Sequence, residues 1–83
     1  MTEVELKRRL AEILTEEDRT SPDWNHVEKL CLDLSRHLSV DGCDACPHYI
    51  HHFIADCDVR KRDYEYAEAQ RADARTYLER EIL

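Results

Sequence analysis

The chain contains one glycine, Gly42, and two prolines, Pro22 and Pro47, and after Pro47 neither residue occurs again. Sandwiches and barrels need many turn residues to reverse their strands, so this scarcity restricts the chain to helices joined by few turns. Charged residues make up 37% of it and hydrophobic ones 42%, the balance of helices that each bury one stripe. The pattern predicts an all-α fold, a small helical bundle in a single domain over residues 1–83.

Two short antiparallel helices are expected first. Thr2-Glu3-Val4-Glu5 has the Thr-x-x-Glu form in which hydroxyl and carboxylate each satisfy a free backbone N–H at a helix start. Val4 or Leu6, Leu10, Ile13 and Leu14 then recur three or four apart, as a core-facing stripe requires, to an end near Glu17. Thr20-Ser21-Pro22-Asp23 is a restart, with Ser21 as N-cap and Pro22 in the first helical position. Trp24, Val27, Leu30, Cys31, Leu34 and Leu38 form the second stripe, in which Cys31 serves as a small core residue. Gly42 closes that helix in the left-handed conformation that glycine adopts at helix ends.

The remainder predicts one long helix from about residue 46 to 82, about 54 Å at 1.5 Å per residue. One side carries Ile50, Phe53, Ile54, Cys57, Tyr64, Ala67, Ala72, Leu78 and Ile82. Val59, Tyr66 and Tyr77 form a second stripe nearly opposite, so the helix has two things to pack against. Either it is continuous and its C-terminal half pairs with another copy or a partner, or it bends around residues 58–63 and returns as a fourth helix. The lack of a breaker favours continuity, a homodimer, and Val59, Tyr66 and Tyr77 as an interaction surface, tyrosine being favoured at such surfaces.

Metal and thiol chemistry concentrate in Gly42–Phe53. Cys43-x-x-Cys46 places two thiols within reach of one ion, and His48 and His52, at i and i+4, supply two more donors for tetrahedral zinc. His37 and His51 are alternative ligands, whereas Cys57 is too far along the helix to share the site. A domain of 83 residues buries a small fraction of its surface, and such a clip adds stability. Two other readings compete: reduced thiols beside a polar histidine face, or a redox pair activated at a helix start. His52 and Asp56, one turn apart, invite an imidazole–carboxylate reading, but no nucleophile motif, phosphate loop or room for a substrate pocket accompanies them.

With 19 acidic and 12 basic residues the formal charge is −7, which disfavours direct contact with nucleic acid or anionic membranes. Arg60-Lys61-Arg62 is too short for a nucleic-acid footprint and is flanked by Asp56, Asp58 and Asp63. The acidic N-terminal residues and the lack of an apolar run of about 18 residues lead to the expectation of a cytoplasmic protein without membrane contact. The function expected is that of a non-enzymatic accessory or adaptor protein acting through a helical surface, with zinc as its one candidate cofactor. The alternatives are a thiol redox protein using Cys43/Cys46, and an acidic mimic that inhibits a nucleic-acid-binding protein.

Overall fold

The computed structural model describes residues 1–80, and Ile82 of the expected apolar side lies outside them. The chain forms α1 (Glu3–Glu17), α2 (Trp24–Asp41), α3 (His48–Ala55), α4 (Cys57–Arg62) and α5 (Tyr64–Glu79), and no strand occurs among the described residues. The Thr2 side chain accepts from the Glu5 amide, as the capping motif requires. The reciprocal half is missing, because the Glu5 carboxylate is taken by Arg8 and Arg9. The cap of α2 is Asp23 rather than Ser21: its side chain accepts from the His26 amide, and Pro22 stays outside the helix. Gly42 ends α2 with φ +71°, the one positive φ among the described residues, so its lack of a Cβ is used where expected.

The continuous C-terminal helix does not form. The chain bends at Asp56 (φ −98°, ψ 22°) and breaks at Asp63, whose backbone is extended (φ −124°, ψ 103°). Asp63 caps α5 through a side-chain bond from the Tyr66 amide at 3.0 Å. Arg60, Lys61 and Arg62 occupy the last turn of α4, where cations complement the negative end of the helix dipole. Basic residues, an aspartate cap and Glu65 in the next first turn together stop one helix and start another without glycine or proline. The molecule measures 33 × 25 × 18 Å, too short for a rod of about 54 Å.

The fold-back puts α5 against α1, α3 and α4. Glu17 meets Arg71 and Glu3 meets Tyr77, so α5 runs antiparallel to α1. One hydrophobic cluster joins the five helices, with Leu6, Leu10 and Ile13 from α1, Val27 and Leu34 from α2, Ile50 and Phe53 from α3, Cys57 from α4, and Ala74 and Tyr77 from α5. Because α5 restarts at Asp63, its inward face is Ala67, Arg71, Ala74 and Tyr77, while Tyr64 and Ala72 face solvent. Within the same chain α1 and α3 cover the C-terminal segment whose exposure on a continuous helix would call for a homodimer.

Candidate functional site

The residues expected to hold zinc do not converge. Cys43 and Cys46 share the turn before α3, closed by the Cys46 amide on the Cys43 carbonyl at 3.0 Å, and both are half-buried. His48, His51 and His52 are exposed on α3, with the His48 and His52 rings edge to face at 5.0 Å. His37 instead bonds Asp41 at 2.6 Å. Among the described residues no group of three or more His, Cys, Asp or Glu side chains is placed to hold a metal ion. Burial, and then the neighbouring Cys43, push the Cys46 thiol up to about 11, opposite to the lowered pKa that an attacking thiol requires. Asp56 does not orient His52: its carboxylate accepts from the Tyr66 hydroxyl at 2.6 Å and from Gln70 at 3.0 Å.

The second apolar stripe divides. Val59 is half-buried and Tyr66 exposed, but Tyr77 is only 2% exposed and belongs to the core. Its hydroxyl donates to Glu3 at 2.8 Å and its ring meets Tyr49 edge to face. Burial first, and Glu3 second, hold its phenol well above the ordinary tyrosine range. Tyr77 therefore leaves the expected interaction surface, because the break at Asp63 rotates it from the far side of the expected helix into the interior.

Arg60 is the hub of the molecule. Its side chain is fully buried and reaches every other helix. On α1, Glu17 accepts from Nε and Nη2 at 3.0 Å. On α2, the Cys31 sulfur accepts at 3.7 Å; on α3, the Phe53 carbonyl accepts from Nη1. On α5, the Gln70 side-chain oxygen accepts at 2.9 Å. The guanidinium also lies 3.8 Å over the Phe53 ring, a face that attracts cations. Arg71 binds the same Glu17 carboxylate at 3.1 Å and Glu68 at 2.6 Å, so two arginines flank one buried glutamate. Every buried side-chain nitrogen and oxygen among the described residues has a partner, and a fully satisfied network of this kind fixes a single packing arrangement.

Beside this cluster lies a groove between α2 and the α3–α4 arm. One compartment, about 400 Å³, is lined by Cys31, Leu32, Ile54 and Cys57, with Glu28 and Asp58 among its polar residues. The next, about 230 Å³, shares Ser35 and Ile54 with it and continues to Leu38, Ser39 and His51. From Glu28 to Ser39 the groove follows three turns of α2, about 16 Å. Leu32 stands at its edge 47% exposed. Cys31 and Cys57 both line this compartment. The neighbouring Cys31, helped by Arg60, pulls the Cys57 thiol below its ordinary range; Cys57 and burial push Cys31 up.

A second hollow, about 380 Å³ between α1 and α2, has Ala11, Thr15 and Leu30 in its lining and Arg8, Glu12, Glu16, Arg19 and His26 around them. These groups already satisfy one another through Arg8–Glu12, Arg19–Glu16 and His26–Glu16 contacts at 2.9–3.1 Å.

In the sequence Arg60 reads only as part of the short basic run Arg60-Lys61-Arg62, Cys31 and Cys57 only as members of separate apolar stripes, and Leu32 carries no assigned role. Leu32 is legible as an apolar residue off the core stripe of α2. The meeting of Arg60 with Glu17 and Cys31 is a matter of tertiary packing. No family model matches this chain, and no curated protein or solved structure matches it.

Proposed function

We propose that this chain is a non-enzymatic interaction module that seats a basic amphipathic helix of a partner protein in the α2–α3/α4 groove. The observation that carries the reading is the groove itself, three turns long, with Leu38, Ile54 and Cys57 among its lining beside Ser35 and Ser39, the exposed Leu32 at its edge and Glu28 and Asp58 at one end. Amphipathic helices dock in grooves of this type through apolar residues spaced three and four apart. The acidic end and the net charge of −7 favour lysine or arginine beside those anchors and speed encounter. Repulsion between two chains of this charge makes a second copy the less favourable occupant. Acidic mimicry fits less well, because Arg8, Arg9, Lys29, Arg62 and Arg75 are interleaved with the surface acids as ion pairs.

Selection of binders from a displayed library of helical peptides tests this. The expected binders carry an apolar i, i+3, i+7 stripe flanked by basic residues. Leu32→Asp or Ser35→Trp abolishes their binding while the circular dichroism of the protein is unchanged. Binders unaffected by both substitutions, or selected without basic residues, overturn the reading.

A further inference from the structure

On the side of α2 opposite the peptide groove, the α1–α2 pair carries two adjoining hollows. The smaller, about 250 Å³, and the larger, about 380 Å³, share Arg8, Glu12 and Leu30, so the Arg8–Glu12 pair bounds the larger one at that end. Along α1 the larger hollow runs from Arg8 to Glu16, about 12 Å. That is shorter than the peptide groove, and the volume is that of a small-molecule site. Its carbon lining is Ala11, Thr15 and Leu30, and Leu30 also packs against the core.

The ion pairs on the rim use up its acids but not its donors. Arg8 is fully engaged, with Nε and Nη2 on Glu5 and Nη1 on Glu12. The Glu16 side chain, 10% exposed, accepts from Arg19 Nη1 at 2.9 Å and from the Asp23 amide at 3.3 Å, and His26 Nδ1 lies 3.0 Å from its other oxygen. Among the described residues Arg19 makes no other hydrogen bond, which leaves Nε and Nη2 for a ligand. One largely buried carboxylate thus holds Arg19 beside an apolar hollow, and the Nε–Nη2 edge of a guanidinium matches the two oxygens of a carboxylate.

We propose that this hollow binds an apolar monocarboxylate of the medium-chain fatty acid class, with its carboxylate on Nε and Nη2 of Arg19 and its chain over Ala11, Thr15 and Leu30. Glu16 is a positioning residue: it fixes the Arg19 fork, and its own acceptor capacity is spent on three donors. Glu12 is held by Arg8. An aliphatic amine therefore meets no unpaired carboxylate here, and an alcohol gains the carbon contacts without the charged pair. The proposal is independent of the peptide-binding reading, since the two sites share no residue.

Calorimetric titration of the full chain with octanoate, below its micelle concentration, and methyl NMR of the complex test this. The expected result is saturable one-to-one binding that shifts the methyl signals of Ala11, Thr15 and Leu30. Arg19→Gln, at an exposed position after α1, weakens binding about tenfold through loss of the charge-assisted pair. Thr15→Trp, also at an exposed position, fills the hollow and abolishes binding. Octylamine and octanol bind at least about tenfold more weakly than octanoate. Absence of saturable octanoate binding, equal binding of octylamine, or shifts centred on Leu32 and Ile54 overturns the proposal. Octanoate affinity unchanged in Arg19→Gln, with circular dichroism like that of the parent, overturns it as well.

Discussion

Replacing Glu17 by glutamine removes the anion at the centre of the helix assembly and alters little else. The Glu17 side chain is fully buried between Arg60, also fully buried, and Arg71, 7% exposed. It receives bonds from three guanidinium nitrogens at 3.0–3.1 Å. In Glu17→Gln two guanidiniums remain in a water-poor interior without their counter-ion, and the side-chain amide directs its own N–H at one of them. Breaking a buried ion pair from one side costs about 3–5 kcal/mol. A chain of 83 residues has a total stability of about 4–12 kcal/mol, so the substitution removes about a quarter of it or more. At about 4–8 °C per kcal/mol for a domain of this size, a loss of about 4 kcal/mol lowers Tm by about 16–32 °C.

Urea unfolding followed by circular dichroism and Trp24 fluorescence measures this directly. Glu12→Gln is the matched control, since its pair with Arg8 is 49% and 60% exposed, and it is expected to cost about 0.5 kcal/mol or less. The double variant Glu17→Gln, Arg71→Met is expected to cost less than the sum of its parts by about 1 kcal/mol, because neutralising one stranded cation relieves the other. If Glu17→Gln unfolds within about 1 kcal/mol of the parent, the claim that this cluster holds the five helices together fails.

Other consequences are smaller in scale. Asp63→Ala removes the cap that starts α5 and is expected to cost about 1 kcal/mol; no loss in urea unfolding would place the cause of the break elsewhere. Tyr77→Phe deletes the bond to Glu3 and is expected to cost about 1–2 kcal/mol, and an ultraviolet pH titration of the parent should show a phenol ionising above the ordinary tyrosine range that is absent from Tyr77→Phe. Glu16 and Glu68 have folded pKa values below the ordinary 4.5 through hydrogen bonds to His26 and Arg71 respectively, and Glu5 lies at about 2 through Arg8. Depressed carboxyl values mean that their contribution is present above 4.5 and lost as pH falls through the folded values. Thermal unfolding between neutral pH and about pH 2 should show Tm falling below 4.5, and a flat profile there contradicts these pairings. Zinc added to the reduced chain should leave Tm unchanged; a one-to-one complex lost in Cys43→Ser and His52→Ala would show that the turn before α3 rearranges around the ion.

The sequence alone determined the helical class, because the scarcity of glycine and proline and the repeats at three and four residues are local features. The Thr2 cap, the Gly42 stop and the core stripes Leu6–Leu14 and Val27–Leu38 follow from neighbouring residues and were legible. The fold-back at Asp63 was also written locally, as a basic helix end followed by an aspartate cap, but its signal competes with an uninterrupted helix-forming composition. Continuity looked cheaper until the apolar face of α5 had α1 to cover it. What only packing decided is which side chains meet over long sequence separations. Arg60 reaches Glu17 across 43 positions and Cys31 across 29, and no periodicity within one helix encodes such distances. A buried guanidinium is stable only when carboxylate, carbonyl and amide partners arrive together. Arg60 therefore reads as a surface charge on the isolated α4 helix, and as the centre of the protein once five helices close around it.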